Sequence, residues 1–175
     1  MKTEQPVFEF RSFIHELTYL LNATYVEVPA SIVQAMGGTL SRRVVCTING
    51  KITFQIGFMA LREGAAYITV NAQRLKKLGV KPGDEVHVSL VNDESEYGVP
   101  MPDELEALLQ QDDEGARRFA LLSKGMQRYI LNYVSSVKNP QKRIDRALLL
   151  IGNLKQLKEG KETFREMLGK GPRQI

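Results

Sequence analysis

The sequence has few of the residues on which metal sites and disulfide frameworks are built. Its 175 residues include one cysteine, two histidines and no tryptophan. A single cysteine excludes an internal disulfide and a thiolate metal cage. Cys46 lies in an alternating apolar segment, a position that favours a buried, inert thiol over a reactive one.

Long apolar runs are missing as well. The longest, at residues 147–151, is far shorter than the roughly 20 residues that a transmembrane helix needs. The first ten residues, MKTEQPVFEF, lack the apolar centre of a secretory signal. These features predict a cytoplasmic protein without a membrane span.

The net charge of +4 is unevenly distributed along the chain. Residues 1–123 carry 12 basic and 16 acidic side chains, whereas residues 124–175 carry 12 basic and 4 acidic ones. The basic tail can form a surface for nucleic acid or acidic lipid. Alternatively, it lies against residues 93–114, which hold nine carboxylates and no base. The sequence leaves both readings open.

Residues 25–48 and 67–90 repeat one pattern at a constant offset of 42 residues. Each copy predicts a strand, a short helix, a glycine turn and a second strand. The matched pairs include Tyr25 and Tyr67, Val28 and Val70, Gly37 and Gly79, Val44 and Val86, and Cys46 and Val88.

Two further strand signals surround the first copy. Residues 7–14 predict an initial strand with Phe8 and Phe10 facing a core and Phe13 as a further candidate. Asn49-Gly50 is a strong hairpin signal because both residues tolerate positive φ. A strict two-residue loop would put Cys46 and Phe54 on opposite faces. Either both faces are covered, or a bulge shifts the register.

Residues 93–102 are polar and rich in glycine and proline, and beyond them the apolar period becomes helical. This change predicts a β-barrel domain at 1–92, a linker at 93–102 and a helical domain at 103–175. Five helical segments are predicted in the helical domain. The longest apolar stripe among them comprises Ile144, Ala147, Leu148, Ile151 and Leu154.

Two tandem copies of such a unit can wrap into a barrel in which each half covers the open edge of the other. The segment LKKLGVKPGDEVHV resembles the swapped-hairpin half of AbrB-like DNA-binding regulators. Over nearly its whole length, the chain resembles the YdeI/OmpD-associated, or bacteriocin-protection, family. The likeness rests on YVEVPASIV, the ING turn and LGVKPGDEVHV, and on VPMPDELEALLQQDDEGARRFALLSKGMQRYILNYVSSVKNP in the helical part.

The resemblance implies an α+β bacterial protein. Its N-terminal domain is expected to be a split or closed β-barrel of the double-split kind, built from the internal repeat with short capping helices, and a C-terminal helical domain follows. The family name records a protective phenotype and no reaction. The segment VKNPQKRIDRA lacks the threonine step usual in the family but keeps its basic residues. These candidate anion or nucleic-acid contacts are Lys138, Lys142, Arg143 and Arg146.

No pattern in the sequence indicates an enzyme. Its serines lack a nucleophile-elbow context, and its glycines lack a phosphate-binding spacing. We therefore expect no catalysis, no cofactor and no metal. The favoured hypothesis is a non-catalytic binding protein, linked to stress or bacteriocin tolerance, that engages a protein or small-molecule ligand as a monomer or weak homodimer. Tyr129 and Tyr133 are candidates for its ligand surface, unless they belong to the core.

The alternative hypothesis is an AbrB-like nucleic-acid-binding protein. It would use the basic residues of the tail or those near the short helices of the barrel. The latter are Arg42, Arg43, Arg74, Lys76 and Lys77. Phosphate contacts require only such charges, whereas base reading requires planar or bidentate groups.

Overall fold

A computed structural model describes residues 4–18 and 23–171. Residues 1–3 of the predicted β-barrel domain and residues 172–175 of the predicted helical domain lie outside this description. The chain divides into two compact units, Met1–Glu94 and Ser95–Ile175. The first unit is a curled antiparallel sheet and the second is helical, which confirms the predicted α+β class.

The first unit contains a seven-stranded sheet that curls into a half-barrel. All pairings within it are antiparallel, and the strand order is β4-β3-β7-β1-β2-β6-β5. The strands are β1 (Phe8–Leu17), β2 (Ala23–Val28), β3 (Arg43–Ile48), β4 (Ile52–Gly57), β5 (Met59–Ala60), β6 (Ala66–Thr69) and β7 (Glu85–Asn92).

Strand β1 joins the two halves of this sheet. Its first part pairs with β7, beginning with Phe8 opposite Leu90. Its last part pairs with β2, beginning with Ile14 opposite Val26. Strand alternation turns the side chains of Phe8, Phe10, Ser12 and Ile14 inward, whereas Phe13 points outward and is 50% exposed. The candidate core position of Phe13 is therefore wrong, whereas Phe8 and Phe10 pack against the core.

The two similar segments adopt the same order of elements. Helix α1 (Ala30–Ala35) lies between β2 and β3, and α2 (Ala72–Leu78) lies between β6 and β7. Strand β2 pairs with β6, and β3 pairs with β7, so corresponding strands are hydrogen-bonded to each other. A duplication as the source of this likeness stays a prediction.

A bulge sets the register of the β3–β4 hairpin. Asn49 and Gly50 have φ values of 52° and 63°, as a type I′ turn requires, and the Lys51 N–H donates to the Ile48 carbonyl at 3.0 Å. Lys51 is an extra residue because Ile48 pairs with Ile52. Cys46 therefore pairs with Phe54, and the apolar residues of both strands share one face.

Cys46 is fully buried in the core of the sheet. Burial raises the pKa of its thiol to about 12, and the nearby Arg74 charge offsets this only in part. Because the thiolate is the reactive form, we expect an aromatic disulfide reagent at pH 8 to leave the folded protein unmodified. One thiol per chain is expected to react once denaturant unfolds the protein. Rapid modification without denaturant would contradict the buried position.

The second unit consists of five helices among its described residues. These are α3 (Asp103–Gln111), α4 (Asp113–Leu121), α5 (Lys124–Ser135), α6 (Pro140–Gln156) and α7 (Phe164–Met167). The side chains of Asp112, Ser123, Asn139 and Thr163 cap the last four by accepting a backbone N–H. Helix α6 lies at the centre, because it packs against α3, α4, α5 and α7.

In the described part of the chain, no helix combines the length and the apolar character that crossing a bilayer requires.

Candidate functional site

An apolar groove of about 430 Å³ lies between α3 and α6. Its volume falls within the range of roughly 300–1,000 Å³ typical of ligand sites. Its lining residues come from one face of each helix. They are Asp103, Glu104, Ala107, Leu108 and Gln111 on α3, and Ile144, Ala147 and Leu148 on α6.

Small and large apolar side chains together shape this groove. Ala147 is fully buried, and Ala107 opposite adds only a methyl group, so the two helices leave space between them. Ile144 and Leu148 remain 39% and 53% exposed. Two large aliphatic side chains thus present apolar surface to solvent within a concavity, which is a common property of binding sites.

Carboxylates occupy one end of the groove. Glu104 Oε1 lies 3.7 Å from Arg143 Nη1, in an ion pair that joins α3 to α6. Glu104 Oε2 is buried and has no hydrogen-bond partner among the described residues. Asp103, one position earlier, is exposed. Because no cation among the described residues lines the groove, this end suits a ligand group that donates hydrogen bonds and carries positive charge.

The four predicted contact residues lie just before α6 or in its first two turns, but they have different roles. Arg143 Nε donates to the Val137 carbonyl at 2.7 Å, and Arg146 Nη1 donates to the Tyr133 carbonyl at 2.8 Å. Both arginines therefore hold the α5–α6 connection together. Lys138 and Lys142 are exposed.

Part of the basic tail pairs with the acid-rich stretch. Besides the Arg143–Glu104 pair, Lys155 Nζ lies 2.5 Å from Asp112 Oδ2. Hydrogen bonds from Lys155 and from the Gly115 N–H hold the pKa of Asp112 below its ordinary value. Of the two readings of the charge asymmetry, internal pairing therefore accounts for these two cations.

The two tyrosines on α5 have different surroundings. Tyr133 is half-buried and makes an edge contact with Phe164, with 5.7 Å between ring centroids. Tyr129 contacts the same ring at the same distance but stays 65% exposed. Tyr133 thus packs against the core, whereas Tyr129 provides surface.

Two family matches cover most of the chain. Residues 10–90 match a domain of unknown function (DUF1905), and residues 98–156 match the family described as bacteriocin-protection, YdeI or OmpD-associated. These two matches confirm the predicted resemblance to the YdeI/OmpD-associated family. No curated protein matches it. The YdeI/OmpD-associated region contains α3 to α6, so it includes every residue that lines the groove.

Helical periodicity does not reveal the groove, although the sequence contains a signal of it. The stripe on α6 includes five apolar residues, all of which helical periodicity alone assigns to the core. Ala147, Ile151 and Leu154 are buried, but Ile144 and Leu148 lie at the edge of the stripe. An apolar stripe that is too wide for one neighbouring helix to cover leaves its edge residues exposed. Such edge residues form a groove wall, whereas the central residues belong to the core.

Proposed function

We propose that the chain is a non-catalytic binding protein of the YdeI/OmpD-associated family and that it takes a cationic amphipathic peptide segment into the α3–α6 groove. The observation that carries the proposal is the combination of exposed Ile144 and Leu148 with the unpartnered Glu104 Oε2 at one end. The family name refers to bacteriocin protection. We propose that the chain contributes to such tolerance by binding.

The dimensions of the groove favour a peptide segment with a few apolar anchors. A volume of about 430 Å³ accommodates two or three aliphatic side chains, such as those at positions i, i+3 and i+4 of a helix. A lysine or arginine next to these anchors would meet Asp103 and Glu104. Such a ligand matches the apolar walls with its anchors and the carboxylates with its charge.

The test is fluorescence anisotropy with a labelled amphipathic peptide that carries leucine anchors and two lysines. Leu148→Asp is expected to weaken binding about tenfold or more, because burial of a leucine contributes about 1.5–3 kcal/mol. Leu149→Asp is the matched control. Leu149 is 42% exposed on the same helix but does not line the groove.

Glu104→Gln tests the acidic end in the same assay. Loss of the carboxylate is expected to weaken binding of the lysine peptide and to leave a peptide with glutamines at those positions unaffected. Equal losses for Leu148→Asp and Leu149→Asp would show that the peptide does not enter the groove. An unchanged affinity in both leucine variants would also reject the proposal.

Nucleic-acid binding through the tail is the second candidate function. It is supported by the exposure of Lys138 and Lys142. Arg143 and Arg146 are less suited to phosphate contact, because Arg143 pairs with Glu104 and Arg146 Nη1 donates to both the Tyr133 carbonyl and the Ser136 hydroxyl. We also propose that the protein is cytoplasmic and that it is a monomer or a weak homodimer. Both expectations come from the sequence.

A further inference from the structure

The sheet unit contains a second concavity, whose lining carries positive charge. It has a volume of about 400 Å³ and lies between the start of β4 and helix α2. In the part of the chain that the structure describes, three cations and no carboxylate line it. The lining residues are Lys51, Ile52, Thr53, Phe54, Asn71, Gln73, Arg74 and Lys77.

Arg74 is held in a fixed position at this concavity. Its guanidinium carbon lies 3.7 Å above the centre of the Phe54 ring, and Nη1 donates to the Thr69 carbonyl at 3.3 Å. The Arg74 backbone N–H donates to Asn71 Oδ1 at 2.9 Å as part of the cap of α2. Both the side chain and the backbone of this arginine are therefore positioned before any ligand binds.

The charge of Arg74 has no carboxylate partner among the described residues. The residue is half-buried, and this burial lowers the pKa of the guanidinium. A guanidinium has five N–H donors in a planar fork that matches phosphate geometry, and the Thr69 carbonyl takes only one of them. Lys51 and Lys77 add two exposed ammonium groups beside the fork.

We propose that this concavity binds the phosphate group of a small phosphorylated molecule. Arg74 provides the bidentate contact, and Lys51 and Lys77 neutralise the remaining charge. A small ligand fits better than a nucleic acid strand, because the three cations converge on one concavity. The face of Phe54 is covered by Arg74, so it is not available for stacking a base. The site lies in the sheet unit and does not depend on the groove of the helical unit.

The test uses calorimetric titration of the full chain with pyrophosphate and with adenosine monophosphate at low salt. Arg74→Lys keeps the charge but removes the fork, and we expect it to weaken binding of both probes about tenfold. Lys77→Ala is expected to weaken binding severalfold. Lys76→Ala is the matched control, since Lys76 is exposed on the same helix but does not line the concavity.

Lys77→Ala keeps the test valid if Arg74→Lys disturbs the packing on Phe54, because Lys77 is exposed. Equal effects of Lys76→Ala and Lys77→Ala would overturn the proposal, since they would indicate unspecific attraction to positive charge. The absence of binding of either probe at millimolar concentration would also overturn it. Tighter binding of a random-sequence DNA duplex, weakened equally by the two lysine variants, would replace the small ligand with a nucleic acid.

Discussion

Replacement of Arg118 by methionine is expected to lower the free energy of unfolding by about 3–5 kcal/mol. Arg118 is 3% exposed. Its Nη2 donates to Glu162 Oε1 at 2.9 Å and to the Leu157 carbonyl at 2.7 Å, while Nη1 reaches the Lys155 carbonyl at 3.3 Å. The substitution removes these donors from the Glu162 carboxylate, whose side chain is 8% exposed, and from two backbone carbonyls.

Arg117→Met is the matched control for urea denaturation followed by circular dichroism. Arg117 pairs with Glu114 and Glu159, but all three side chains are about half exposed. Exposed pairs contribute about 0–1 kcal/mol, so the neighbouring substitution should have little effect. If the two methionine variants lose the same stability, Arg118 does not act as a buried ion-pair partner.

The acid limb of the stability curve gives a second measurement for the same pair. Burial alone would raise the pKa of Glu162, but backbone N–H groups and Arg118 outweigh it and hold that pKa below the ordinary value of 4.5. The stabilisation is therefore present above pH 4.5 and is lost as the pH falls through the folded-state pKa. A double variant, Arg118→Met with Glu162→Met, is expected to lose less stability over this range.

Gly115→Ala is expected to destabilise the protein by about 1–3 kcal/mol, although alanine is normally the better helix former. A Cβ atom at position 115 would lie 2.6 Å from Ile151 Cγ2 and 2.8 Å from Asp112 Oδ2. Neither neighbour moves away easily. Ile151 is fully buried in the core, and the Asp112 side chain caps α4 by accepting the Gly115 N–H.

Gly152→Ala on α6 is expected to stabilise the protein. Apart from its two chain neighbours and the backbone of its own helix, no described atom lies within 4 Å of a Cβ placed there, and the residue is inside a helix. Urea denaturation should show a gain in unfolding free energy of up to about 1 kcal/mol. A stability change of the same sign in both alanine variants would show that close packing at Gly115 does not determine the outcome.

The sequence predicts those features of the fold that depend on local patterns. The five helical segments beyond residue 102 and the turn at Asn49-Gly50 follow from patterns that act over a few residues. The inward or outward direction of Phe13 is harder to predict. It depends on the register in which β1 pairs with its neighbouring strands, and apolar and polar residues alternate only loosely in this segment.

The candidate sites depend on contacts between distant parts of the chain. Leu148 becomes a groove wall because α3 covers only part of the apolar stripe on α6. Phe54 and Arg74 meet because the bulge at Lys51 turns Phe54 to the face on which α2 packs. Periodicity locates the helices and strands, but both concavities form only where distant segments of the chain pack together.

The position of β1 in the sheet has a consequence for synthesis on the ribosome. The strand is translated before all its partners, whereas β7, with which its first part pairs, is the last strand of the unit. The β2–β6 pairing becomes available earlier, but among the described strands the two halves of the sheet join only through β1. We therefore expect the nascent sheet to stay open until residue 92 has left the exit tunnel, with β1 exposed to chaperones during that interval.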